Sequence, residues 1–78
     1  MIRVGDLRLG DVIVQTDHNI LILMIQDCII HENAYVQITY LKTYKNDEQR
    51  ASVNIRLYHV TKPAWPGGNL ISALENCK

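Results

Sequence analysis

The chain has 78 residues, 47% hydrophobic and 21% charged, with eight Lys and Arg balanced by eight Asp and Glu. That composition belongs to one small folded domain and excludes a disordered tail. Near-zero net charge removes the overall positive excess on which nonspecific phosphate binding draws, and it eases self-association.

A domain of this length buries only roughly 60% of the surface its unfolded chain exposes, so the core is thin. The longest apolar run, Ile20 to Ile25, is too short for a bilayer, which takes about 20 apolar residues. The opening residues Met1 to Asp6 lack the long apolar segment of a signal peptide, so a cytoplasmic location and no membrane association are expected. Cys28 and Cys77 form no CxxC pair, and reduced thiols are the expectation. A bridge between them, closing about 50 residues, would stabilise the fold by roughly 4 kcal/mol in the chain-entropy account, in an oxidising compartment only.

In chain order, Ile2 to Gly10 reads as a short strand, a turn and a lead-in, punctuated by Gly5-Asp6 and Gly10-Asp11. The β-branched run Val12-Ile13-Val14 predicts a strand over about 11–15. Polar turn formers at 15–19 then predict an antiparallel hairpin into the central run. That run, Ile20-Leu21-Ile22-Leu23-Met24-Ile25, does not alternate, which implies cover on both faces. It extends naturally through Gln26 and Asp27 to Ile30 as one long bent strand, with Asp27 at a rim or bulge. His31-Glu32-Asn33 predicts a turn, with Asn33 the residue suited to a left-handed backbone.

Over 34–42 the alternation is clean, with Val36, Ile38 and Tyr40 on one side and Tyr35, Gln37, Thr39 and Leu41 on the other. A charged loop over 44–50 leads to another alternating strand, with Val53, Ile55 and Leu57 expected inward and Asn54, Arg56 and Tyr58 outward. Pro63 ends it, having no amide hydrogen for the ladder. Trp65-Pro66-Gly67-Gly68 reads as a connector, and Asn69 as the cap of a short helix over 70–76, with Leu70, Ile71 and Leu74 on one face. The division expected is a β domain over 1–62 and a connector plus helix over 63–78, packed on the domain or on a partner.

Short antiparallel strands joined by hairpins, opening with Leu7-Arg8-Leu9-Gly10-Asp11-Val12-Ile13, resemble small SH3-like barrels over residues 7–60. The resemblance implies a mainly β fold, an SH3-like or open barrel of four to five antiparallel strands with the short C-terminal helix. It implies binding rather than catalysis, and carries no catalytic residues. No counterpart of the aromatic groove that binds proline-rich peptides stands in this sequence.

The candidate chemistry is sparse. His18, His31, His59 and Cys28 are irregularly spaced for a metal, so no metal or other cofactor is expected. Cys28 in an isoleucine-rich strand reads as a small core residue rather than a nucleophile. Asp17, Asp27 and Glu32 read as solvated turn carboxylates.

The leading expectation is therefore a non-enzymatic protein-interaction module, suited in size to a small phage or bacterial accessory or inhibitor protein. It would bind a larger partner or self-associate through Ile20, Ile22, Met24, Ile29, Trp65, Leu70 and Leu74. The alternative is nucleic-acid binding by an outer face of Tyr35, Lys42, Tyr44, Lys45, Arg50, Arg56 and Tyr58, where aromatics interleave with cations.

Overall fold

The computed structural model describes residues 2–46, 50–63 and 65–73. Five antiparallel strands make one sheet: β1 (Val12–Val14), β2 (His18–Ile30), β3 (Asn33–Tyr44), β4 (Ala51–His59) and β5 (Asn69–Ile71). Their order is β4-β3-β2-β1-β5, so β4 and β5 are the edges of an open sheet. The fold is mainly β, and the two long hairpins follow from the alternating and β-branched segments.

Gly10 takes a left-handed φ of 84° ahead of β1, and its amide donates to the Ile22 carbonyl. The hairpin from β1 to β2 closes where the Gln15 amide donates to the His18 carbonyl. β2 is the long strand expected, but its bulge lies between Ile22 and Met24 rather than at Asp27. An extra residue in one strand shifts which side later residues face. Ile20 and Ile22 before the bulge, and Ile25 after it, therefore all point to the core.

The core consists of Val4, Leu7, Ile13, Ile20, Ile22, Val36, Ile38 and Tyr40, with Ile2, Ile25, Tyr58, Val60 and Trp65 packed against it. Among the described residues its cover is the chain's own N-terminal segment. Arg3 forms an isolated bridge with Pro63, a 3-10 turn spans Val4–Asp6, and the Val4 and Gly5 amides donate to the Lys62 and Val60 carbonyls.

Asp11 is the buried charged residue beside this core. Its two carboxylate oxygens accept from the Arg8 amide at 2.9 Å and the Ala73 amide at 2.8 Å. A residue that reads as turn punctuation in the sequence is thus the clasp holding the lead-in and the end of β5 to one point.

Four expectations change. Asn69, Leu70 and Ile71 are a strand paired with β1, not the cap and first turn of a helix. A short helix is marginal alone, whereas β1 offers an edge whose backbone groups need partners. Leu74 lies outside the described residues. The predicted left-handed residue is not Asn33 but the pair His31 (φ 49°) and Glu32 (φ 68°), which form a two-residue turn between Ile30 and Asn33.

The inward and outward sets of β4 are reversed. Arg56 pairs with Ile38 and Tyr58 with Val36, so Val53, Ile55 and Leu57 face away from the core. Alternation gives a period of two and leaves the side open, and a register differing by one residue exchanges the faces. Finally, the non-alternating run has one face covered by this chain and the other open: Leu23 is 41% and Met24 58% exposed.

The His31-Glu32 turn carries a testable cost. Positive φ at both central residues favours Asn-Gly, and two larger side chains are strained there. Replacing His31 with Asn together with Glu32 with Gly is expected to stabilise the fold by about 1 kcal/mol. An unchanged urea midpoint would refute the turn geometry.

Candidate functional site

The outer face is built from paired positions across all five strands. One tier runs Ile71, Val12, Leu21, Leu41, Val53, and the next places Met24, Thr39 and Ile55 side by side. Beyond them lie Gln26, Gln37 and Leu57, then Cys28, Tyr35 and His59. Among the paired residues of this face there is no Asp, Glu, Lys or Arg. Val53 and Ile55 are each 62% exposed, so the apolar tiers meet solvent. The surface is contiguous, uncharged and largely apolar, larger in apolar content than the scattered single residues usual on a small domain.

The residues expected to form the protein interface divide. Ile20 and Ile22 are correctly apolar but wrongly placed, since each is 1% exposed inside the core and neither can meet a partner. The N-terminal segment and Trp65 have already filled that side of the sheet. Met24, Ile29 and Leu70 are exposed, but register puts Met24 on the outer face and Ile29 and Leu70 on the core side. Trp65 is half-buried over Tyr40 and Tyr58, at ring separations of 5.2 and 6.0 Å.

The cation and tyrosine set also divides. Lys42, Tyr44, Arg56 and Tyr58 share the core side of the sheet beyond the packed centre, whereas Tyr35 stands on the outer face against His59, 5.4 Å between centroids. Lys45 donates from its ammonium to the Gln15 carbonyl at 2.8 Å, and Arg50 lines a separate hollow with Tyr44 and Asn46. The reading of one outward Tyr/Lys/Arg face is thereby corrected.

On the core side, Tyr40, Lys42, Arg56, Tyr58, Trp65 and His18 line a cavity of about 270 Å³. Burial, with Tyr40 alongside, pushes the Tyr58 phenol up against the pull of Arg56. The contact with Tyr44 raises Lys42, whose ammonium lies 4.8 Å over that ring. His18 Nδ1 meets the Asp17 carboxylate at 2.6 Å, and this hydrogen bond lowers the exposed Asp17 carboxyl from its ordinary value.

Cys28 is half-buried on the outer face opposite Tyr35, not in the core, and Cys77 lies outside the described residues. His31 sits in its turn, and His59 pairs with the Thr61 hydroxyl. Among the described residues no three His, Cys, Asp or Glu side chains gather as metal ligands, and no helix is long and apolar enough to cross a membrane.

No family model, curated protein or solved structure matches the chain. The functional reading therefore rests on the two surfaces of the sheet.

Proposed function

We propose that this chain is a non-enzymatic protein-interaction module of the cytoplasm, related in form to small SH3-like β modules and using the outer face of its sheet to self-associate. The observation that carries the reading is the uncharged tier from Ile71 to Val53 with Met24 and Ile55 beside it. At about 4.8 Å per strand the tier is roughly 20 Å wide, broad enough for a second sheet to stack on it at about 10 Å. A second copy meets it without like-charge repulsion, because the two identical surfaces bring no formal charge between them.

Sedimentation velocity over a concentration series tests this. The expected result is a dimer that becomes a monomer when Ile55→Glu places a carboxylate on the otherwise uncharged face, with circular dichroism unchanged. That substitution removes no core contact, because Ile55 is largely exposed. A wild-type chain that stays monomeric throughout would overturn self-association and leave a larger partner as the occupant.

A further inference from the structure

We propose that the cavity lined by Trp65, Lys42 and Arg56 is a binding site for a nucleotide unit, a nucleobase carried with its phosphate. It lies on the core side of the sheet, opposite the surface assigned to self-association, and is independent of it.

The walls supply two kinds of contact. Tyr40, Tyr58 and Trp65 form an aromatic cluster in which neither tyrosine is stacked face to face on the indole; the planes meet at 84° and 61°. Lys42 and Arg56 line the same cavity together with His18, whose Nδ1 is held by the Asp17 carboxylate outside the lining. Among the described residues, neither Lys42 nor Arg56 makes an ion pair with Asp or Glu; the one such contact is between His18 and Asp17.

The chemistry that answers both walls is a planar ring joined to a multiply charged anion. The half-buried Tyr58 and Trp65 can accept a nucleobase by stacking, and Arg56 and Lys42, which line the cavity from positions on β4 and β3 that are not register partners, are both suited to phosphate oxygens. Size narrows the choice. About 270 Å³ lies just below the range of about 300–1,000 Å³ usual for ligand cavities, which limits the occupant to one small unit and excludes a duplex.

Backbone geometry adds an independent sign. Trp65 holds a left-handed φ of 42°, a conformation that costs a bulky residue free energy and is retained where the surroundings impose it. Here that conformation swings the indole against Tyr40 and Tyr58 and makes it a wall of the cavity. Gly68, whose amide donates to the Trp65 carbonyl at 3.0 Å, closes the turn; a Cβ there would come within 2.7 Å of Ile13 Cγ2.

The source of the nucleotide is either a free mononucleotide or one unit of a single strand, and the test separates them. Trp65 is the chain's one tryptophan, so its fluorescence reports the cavity directly. The probes are adenosine monophosphate, adenosine, inorganic phosphate and a short oligothymidylate.

The expected result is saturable quenching by adenosine monophosphate or the oligonucleotide, with adenosine and phosphate each weaker because each satisfies one wall only. Quenching by the monophosphate identifies a mononucleotide site, and quenching by the oligonucleotide alone identifies a strand site. Arg56→Gln and Lys42→Gln are each expected to weaken binding about tenfold and to flatten its salt dependence, with the thermal midpoint unchanged. No quenching by adenosine monophosphate or by the oligonucleotide at millimolar concentration would overturn the proposal. So would wild-type affinity in both folded variants.

Discussion

Replacing Asp11 with alanine is expected to lower the unfolding free energy by about 3 kcal/mol. The carboxylate is 2% exposed and accepts from the amides of Arg8 and Ala73, residues on opposite sides of β1 in the chain. Removing it leaves two backbone donors in partly buried positions without that acceptor, and it unfastens the end of β5 from the sheet. Asp11→Asn is the control. Its single amide oxygen accepts one of the two bonds while its NH₂ opposes the other donor, so it should recover part of the loss. Urea unfolding followed by circular dichroism gives both values; an Asp11→Ala chain as stable as wild type would show that the clasp contributes nothing.

A second large effect is expected in the core. Ile13 is fully buried at the centre of β1, flanked by Ile20 on β2 and Leu70 on β5, with Gly68 against its Cγ2 atom. Ile13→Ala should cost about 2–5 kcal/mol, because lost transfer free energy and a residual cavity add together. A domain of this length has a total stability of about 4–12 kcal/mol, so the variant stands near the unfolding threshold at room temperature. A loss under about 1 kcal/mol would mean that the surrounding chain collapses into the space. Ile29→Ala near the end of β2 is the contrasting control, since that residue is 79% exposed and has little burial to lose.

The chain order of β1 to β4 was legible because each carries a local signal, whereas β5 reads as a helix in the sequence and is made a strand by its pairing with β1. Val12-Ile13-Val14 is β-branched, 34–42 alternates, and polar residues separate the segments. Even the long β2 was visible as a continuous apolar run. What could not be read was side. The β4 segment alternates equally well with Val53, Ile55 and Leu57 in or out, and the cross-strand partners Ile38 with Arg56 and Val36 with Tyr58 decide it.

The candidate sites were legible to a similar extent. The uncharged outer face was present in the sequence as alternate positions of β3 and β4 without Asp, Glu, Lys or Arg, but combining it with β1 and β5 needed the sheet order. Adjacent alternating strands group Tyr35 with Lys42 and Arg56 on an outer face in the sequence, and the sheet register separates it from them. Trp65 read as a cover and became in addition a cavity wall, through a backbone conformation that residue type does not announce.

The sequence by itself thus determined that the protein is a small, neutral, mainly β domain with more apolar strand surface than a thin core can use. Those properties follow from local periodicity and composition, which depend on near neighbours. The tertiary structure alone decided where the surplus goes. The bulge after Ile22 returns Ile25 to the core, the β3 and β4 register turns Val53 and Ile55 to the open face, and the Asp11 clasp brings Ala73 back across 62 positions. Each is a contact between residues far apart in the chain, and no local pattern encodes the side on which such residues meet.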